Sequence, residues 1–366
     1  MKISCECAQL AAAVGTVTKA LPGRTTMPAL EGVHIAAHGS TVTLTCTDLR
    51  LGIATVLPAT VEEEGEAVLP GKLFSEMARK LPDGTVHIAV EGTTAQISGR
   101  GTRTRLQVMD SAEFPALAQV EDATGVLLPA ETLRGLIHRT VFAAATDESR
   151  PILTGVLVEF LPGVCRFVAL DGFRLAICNA PYNGEAGGLK AVVPATALTR
   201  LASLLDDEEP VALEIGPTHL GATLGGTRVV TRLLEGEFLR YEQILPTEWF
   251  TRITVARAGL ATALDRASML AREGRSNLVR LKIAEDTLVV TSNSEAGDVY
   301  EEVPVSREGR DLEIAFNSRF LTDVLRNLES EELTMQFTTS VNSAVLHSAE
   351  GDDFTYLVLP VRAFPQ

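Results

Sequence analysis

The sequence predicts an α+β protein of three similar domains, each with two helices and antiparallel sheets. Three observations carry that prediction. One amphipathic helical segment recurs three times, at a spacing of roughly 120 to 125 residues. A second helical segment recurs at the same period. Between the two, each repeat holds a strand, a short polar turn and another strand. The period is too long for a solenoid, whose units run about 20 to 50 residues, and is the size of a domain. The domain limits expected from the repeats are 1–122, 123–248 and 249–366.

The first helical segment is LPGKLFSEMARKL (69–81), with Leu73, Phe74, Met77 and Leu81 on one face. It returns as VPATALTRLASLL (193–205), with Leu198, Leu201, Leu204 and Leu205, and as FNSRFLTDVLRNL (316–328), with Phe320, Leu321, Val324, Leu325 and Leu328. Apolar residues at that spacing define a helix with one buried stripe. The second segment is CAQLAAAVGTVTKAL (7–21), LPAETLRGLIHRTVFAA (128–144) and VARAGLATALDRASML (255–270). The strand pairs are TLTCTDLRLGIATVLP, CRFVALDGFRLAICNAP and TLVVTSNSEAGDVYEEVP, turning at Asp48, Asp171 and Asn293. Alternating β-branched and polar residues on both sides of each turn mark hairpins. EFPAL around Phe114, EFLRY around Phe238 and DFTYL around Phe354 complete the repeat.

Hydrophobic residues make up 46% of the 366 and charged residues 22%, which suits a globular protein with several cores. Aromatics are only 5%, with one Trp, so the cores should be mostly aliphatic. Cys5, Cys7, Cys46, Cys165 and Cys178 are scattered and odd in number, as expected of reduced thiols in a cytoplasmic protein. No apolar run is long enough for a membrane span, and the N-terminus does not read as a signal peptide. The acidic stretches Glu62–Glu66 and Asp206–Glu209 read as solvated loops.

The formal net charge of −15 argues against nucleic acid unless the basic residues are segregated. They are. The helical segments carry Lys19, Arg79, Lys80, Arg134, Arg139, Arg200, Arg266, Arg272 and Arg326 against few acids, such as Glu76, Glu131, Asp265 and Asp323. Singly, each reads as an ordinary solvated helix face. Together they suggest a mildly positive surface that follows phosphates without reading bases. No aromatic residues interleave with them, so stacking on single strands is not expected.

No residues assemble an active site. No phosphate-cradling glycine loop, nucleophile elbow or complete zinc-ligand set occurs. Cys5-x-Cys7 lacks a second pair, and His34 and His38 lie four apart on what reads as a strand. Asp171 precedes Gly172 and reads as a turn residue, not a catalytic carboxylate. The chain is therefore expected to be non-enzymatic and to hold no cofactor or metal. An enzyme on a triplicated scaffold and a purely structural homo-oligomer are the alternatives.

The segments GRTTMPAL, ILTGVLVEF, ALDGFRLA, GEFLRYEQILP, FNSRFLTDVL and YLVLPVR, in this order and on this repeat, resemble the bacterial β sliding clamp family, the β subunit of DNA polymerase III. The resemblance runs over essentially the whole chain. It implies a DNA-clamp fold in which one chain forms half of a ring and a head-to-tail homodimer closes it around duplex DNA. It implies a processivity factor whose partners are the replicative DNA polymerase, the clamp loader and other proteins that carry clamp-binding peptides.

Carried over from the family, the peptide site comprises Leu153, Leu170, Gly172, Phe173, Arg174 and Leu175; Leu239, Gln243 and Ile244; Asn317 and Phe320; Ser340, Val341 and Ser343; and Val358, Leu359, Pro360, Val361 and Arg362. Its peptide is of the Gln-Leu-x-Leu-Phe kind. Arg174, Asn317 and Arg362 are the expected polar contacts. Leu170 stands where the family usually has Thr, Leu239 where it has Pro, and Gln243 where an Arg is frequent. The tail 363–366 runs past the usual ending. Arg24 and Arg150 match DNA-facing positions and join Arg79, Lys80, Arg134, Arg139 and Arg200 as expected DNA contacts. Leu106 on one side, with Met269 and Leu270 on the other, matches the ring interface.

Overall fold

The structure is a computed structural model that describes residues 1–206, 209–273, 277–349, 351 and 353–361. Its element order repeats three times. The first repeat runs β1 (Lys2–Glu6), α1 (Cys7–Val17), β2 (Gly32–His38), β3 (Thr41–Thr47), β4 (Leu51–Pro58), β5 (Thr60–Glu63), β6 (Gly65–Pro70), α2 (Gly71–Ala78), β7 (Thr85–Glu91), β8 (Thr94–Gly99) and β9 (Thr102–Gln107). The second runs β10 (Thr124–Leu128), α3 (Ala130–Val141), β11 (Gly155–Leu161), β12 (Gly163–Leu170), β13 (Arg174–Tyr182), β14 (Leu189–Pro194), α4 (Ala195–Ala202), β15 (Val211–Ile215), β16 (His219–Leu224) and β17 (Thr227–Arg232). The third runs β18 (Thr251–Ala256), α5 (Arg257–Glu273), β19 (Leu278–Ala284), β20 (Thr287–Ser294), β21 (Gly297–Gly309), β22 (Leu312–Asn317), α6 (Ser318–Arg326), β23 (Glu332–Phe337), β24 (Ala344–Ser348) and β25 (Phe354–Val358).

All six expected helices form, several of them shorter than their sequence pattern. The residues before α2, α4 and α6 belong to strands that end at Pro70, Pro194 and Asn317. Each of these residues punctuates the chain. Proline fits a helix start because its missing N–H would be unpaired there. Asn317 caps α6 by accepting a hydrogen bond from Arg319 N at 3.0 Å. On α2 the buried residues are Gly71, Phe74, Ser75 and Ala78, and Leu73 is 53% exposed, so Leu73 does not belong to the buried stripe as expected. The third hairpin also turns later than expected. Asn293 pairs with Asp298 inside the ladder, and the turn falls at Glu295-Ala296.

Compactness divides the chain differently from the repeat. One unit is residues Met1–Leu133 with Thr196–Leu233; the other is Arg134–Ala195 with Leu234–Gln366. The first unit holds a sheet in the order β5-β1-β7-β8-β9 and another in the order β10-β15-β16-β17-β4-β3-β2-β6. The second holds a twelve-stranded sheet, β14-β11-β12-β13-β25-β24-β23-β18-β21-β20-β19-β22. The cause is strand pairing between repeats. In the first unit β17 pairs antiparallel with β4, and in the second β25 pairs antiparallel with β13.

Helices α1 and α2 pack on each other in the first unit, as α5 and α6 do in the second. Their apolar stripes cover the sheets. The cores are aliphatic, as the composition suggests, but among the bulkiest fully buried side chains are Phe74, Phe160, Phe167, Phe316, Phe337, Phe354 and Tyr356. The few aromatics thus still supply the bulkiest core side chains. All five thiols are free and buried, and burial pushes Cys5 and Cys178 up to about 11 and Cys165 up to about 12. A thiol held neutral is a poor nucleophile and a poor metal ligand. Among the described residues no group of His, Cys, Asp and Glu is placed to hold a metal ion, and no helix is long and apolar enough to cross a membrane.

Candidate functional site

The residues expected to bind peptide, Arg362 apart, gather within the second unit. They do so because β13 carries the turn Gly172-Phe173 at one end and pairs with β25 through Arg174↔Val358 and Leu175↔Leu357. The chain after β25 is held beside that turn: Leu359 N donates to Phe173 O at 2.8 Å, and Val361 N to Ala315 O at 2.8 Å. Arg362 and the tail 363–366 lie outside the described residues.

The floor of this face is an apolar cluster of Leu153, Leu170, Leu175, Val345 and Leu357 with Tyr241, all buried. The segments that supply these residues also carry Phe173, Leu239, Ile244, Val341 and Leu359, each an exposed large apolar side chain. Gly172 takes φ +92°, a conformation that glycine adopts without strain, and so lets Phe173 turn outward. Exposed apolar side chains scattered singly need no explanation, whereas several in segments that also supply one buried apolar cluster suggest a binding face. Of the expected polar residues, Gln243 and Ser340 are exposed and Ser343 is half-buried. Burial of Leu and Phe anchors at about 25 cal/mol per Å² is the interaction that such a face offers.

Two of the expected polar contacts are already engaged. Arg174 is 7% exposed. Its Nε donates to Asp171 Oδ2 at 2.9 Å, Nη1 to Asp323 Oδ2 at 2.7 Å, and Nη2 to the Phe142 carbonyl. Its guanidinium also lies 4.9 Å from the centre of the Phe320 ring, which stacks on Phe173 at 6.2 Å. Arg174 therefore acts as a strut that fixes Phe173 and Phe320, in place of the outward hydrogen bonder expected from the sequence. Asn317 is likewise occupied as the cap of α6. Asp171 is the expected turn residue: its Oδ1 accepts from Phe173 N and Arg174 N.

Removing a partner from a buried ion pair leaves charge unpaired, which is strongly destabilising. Arg174→Ala is expected to cost about 3 kcal/mol, the low end of that range because Asp171 and Asp323 keep some solvent. Calorimetric melting measures this, and an unchanged transition would remove Arg174 from the role assigned here.

Sequence reasoning missed Tyr241. Its hydroxyl donates to the buried Glu159 at 2.7 Å and accepts from Arg166 at 3.1 Å, while Lys190 closes on Glu159 at 2.6 Å. Burial and the Glu159 carboxylate raise the Tyr241 pKa, so it stays a neutral donor. This network pins the turn Tyr241–Ile244 and with it Leu239, Gln243 and Ile244. The signal was available, since Tyr ends the EFLRY motif.

The basic residues are less uniform than their helical placement suggested. Arg24, Arg79, Lys80, Arg150 and Arg200 are exposed and form no ion pair among the described residues. Lys19 donates to Ser203 O at 2.8 Å and to Ser203 Oγ at 3.0 Å; burial and the nearby Arg200 lower its pKa. Arg134 is half-buried. Arg139 departs from expectation: it faces Asp353 at 2.7 Å and Glu329 at 3.5 Å, so its charge is neutralised by its own chain. Arg266 is similarly committed to Glu301.

The expected interface residues also differ among themselves. Leu106 is 5% exposed and lies in its own core, while Met269 is 62% exposed. Leu270 is half-buried beside Gly297.

Comparison with known proteins agrees with the architecture. Residues 1–118, 127–239 and 242–362 match the models of the N-terminal, central and C-terminal domains of the DNA polymerase III beta subunit. A beta sliding clamp of Bacillus subtilis is 33% identical, with all of both chains covered. The crystal structure of the Bacillus subtilis DNA polymerase sliding clamp superposes with a TM-score of 0.95, at 33% identity, and covers all of both chains. A Pseudomonas aeruginosa sliding clamp bound to griselimycin superposes with a TM-score of 0.93 at 29% identity, over 99% of this chain and all of that one.

Proposed function

This chain belongs to the DNA polymerase III β subunit family, the β sliding clamps, and from that premise we propose that two copies close head to tail into a ring around duplex DNA. The ring holds the replicative polymerase on its template and docks partner peptides on the face built around β13 and β25. A clamp loader opens it. The chain does no chemistry of its own; its work is topological, so a sparse positive lining suffices and tight phosphate binding would oppose sliding. Arg24, Arg79, Lys80, Arg134, Arg150 and Arg200 contribute to that lining. Residues 1–122, 123–248 and 249–366 are its three domains in each copy.

One observation carries the dimer. The hairpins His38↔Thr41, Leu161↔Val164 and Ala284↔Thr287 each fall 123 residues after the last, which makes Gly52, Leu175 and Asp298 equivalent positions on β4, β13 and β21. Within the chain, β4 and β13 each receive the last strand of the next repeat, through Val230↔Gly52 and Leu357↔Leu175. Among the described residues the third joint has no such partner in this chain. β21 pairs with β20 over 297–304 but with β18 only from Val305 onward, so one edge of 297–304 is open. The last strand of the first repeat, β9, sits at the edge of its sheet. A second copy supplies the missing joint. A contact between two different surfaces that closes after two copies gives a ring instead of a filament.

Carried over by the repeat offset, the register of this joint would set Leu106 opposite Gly297, Arg105 opposite Asp298 and Arg103 opposite Tyr300 of the second copy. Met269 and Leu270 then border the same contact, since Leu270 lies beside Gly297. Charge agrees, because β9 exposes Arg103 and Arg105, and β21 exposes Asp298 and Glu302. Opposite charges across antiparallel strands stabilise the pair.

Engineered cysteines test the register. Directly opposed residues bring their Cα atoms within disulfide reach. With Arg103→Cys and Tyr300→Cys in one chain, mild oxidation is expected to give a covalent dimer, without interference from the buried native thiols. The shifted pair Arg103→Cys with Val299→Cys points to opposite faces and should link far more slowly. Equal linking of both pairs, or none, would contradict the register.

A further inference from the structure

The same repeat that builds the peptide face in the second unit builds a cavity in the first. It encloses about 210 Å³ beside the β17–β4 joint. Thr47, Leu49, Arg50 and Gly52 line one side of it, and the 123-residue offset carries them onto Leu170, Gly172, Phe173 and Leu175 of the peptide face. Pro115 and Leu117 of EFPAL take the places of Leu239 and Tyr241 in EFLRY. Val230 takes the place of Leu357, because each is the residue that pairs with the equivalent glycine or leucine.

The differences set what this cavity accepts. Gly52 has no side chain where Leu175 fills the floor, and Leu117 leans into the gap: a Cβ on Gly52 would lie 2.0 Å from Leu117 Cδ1. The room left suits one aliphatic side chain, well below the 300 Å³ or more of a typical small-molecule pocket. Leu49 stands 55% exposed at the mouth with φ +73°, where its counterpart is the glycine at φ +92°. A leucine held in that region is unusual and is found where surrounding structure enforces it. The charge differs most. Arg50 replaces Phe173; its side chain is exposed and makes no ion pair among the described residues. His219 stands nearby, its Nδ1 shared with Thr218 Oγ1 at 2.9 Å. Asp48 caps this turn, its Oδ1 accepting from the Arg50 and Leu51 backbone N–H groups, and it makes no ion pair with the Arg50 guanidinium among the described residues.

We propose that this cavity is a second docking site, for a short acidic linear segment that seats one aliphatic side chain against Leu117 and Val230 and sets a carboxylate on Arg50. The proposal rests on the reading of the β13–β25 face as a peptide site, since the two share one backbone plan. It differs in its ligand. The β13–β25 face takes a Leu-Phe pair by apolar burial, and the cavity takes a single aliphatic anchor with charge.

Methyl NMR of the intact dimer separates the two sites. The probe is the peptide acetyl-Gly-Leu-Asp-Glu-Gly-amide. Its titration is expected to shift the Leu117 and Val230 methyls, to weaken as salt rises, and to leave Leu175 and Leu357 unmoved. Arg50→Glu, on an exposed side chain, should weaken the probe by about tenfold or more. Gly52→Leu, whose side chain displaces Leu117 and takes up the cavity, should abolish the shifts. The proposal is overturned if Leu117 and Val230 do not respond, if Arg50→Glu changes nothing, or if the probe moves only Leu175 and Leu357. A Gln-Leu-x-Leu-Phe peptide titrated separately reports on the β13–β25 face. Its failure to shift Leu175 and Leu357 would count against that reading and not against a response at Leu117.

Discussion

Arg103→Glu with Arg105→Glu is expected to convert the dimer to monomer. In the register set by the repeats, these side chains meet Tyr300 and Asp298 of the second copy, with Glu302 diagonal to Arg103. Reversal places like charges in register across two joints of the ring. Like-charge juxtaposition at an interface costs several kcal/mol, so the dissociation constant should rise about a hundredfold or more, equivalent to about 3 kcal/mol. Both arginines are exposed in the single chain, so folding should survive. Asp298→Arg in the reversed background should restore much of the association. Sedimentation equilibrium reads both effects. An unchanged dimer after reversal, or no recovery after compensation, would place the interface elsewhere.

The second large effect is at the peptide face. Leu175→Ala with Val361→Ala shortens the floor and one wall while keeping the backbone. A Gln-Leu-x-Leu-Phe peptide should lose at least about tenfold in affinity, or about 1.4 kcal/mol, with the dimer intact. Leu175 is 2% exposed within the apolar cluster, so its truncation also lowers stability by about 2 kcal/mol or more. Melting must therefore show a folded protein at the temperature of the binding measurement. Calorimetry gives the affinity directly, and equal values for both proteins would mean that the pocket lies elsewhere.

The threefold plan was legible because it is written in local patterns. A helix stripe at Leu198, Leu201 and Leu205, or a turn at Asp171-Gly172, depends on neighbours within one segment. What eluded the sequence depends on pairing between distant segments. Whether β17 joins β4, and β25 joins β13, leaves no mark in either strand alone, so the compact units could not be drawn from the repeats. Arg174 was read as a polar contact for the peptide, and its own ion pairs went unseen because its two carboxylates lie 3 residues before it and, on α6, 149 residues after it. Only the first is visible in the sequence. The ion pairs of Arg139 were hidden for the same reason, since Asp353 and Glu329 reach it from another repeat. Leu73 failed differently: it belongs to the apolar period of its helix, yet the period was set by Phe74 and Ala78, which face the core.

The central claim is that this clamp stays on DNA by encircling it and not by affinity. Retention after loading by the cognate clamp loader tests this most directly. On nicked circular duplex DNA the protein should persist through a high-salt wash that removes phosphate-bound proteins. On the same DNA cut once, it should slide off the ends and be lost. Equal retention on circular and linear DNA, or loss from both in salt, would show that contact and not topology holds the protein there.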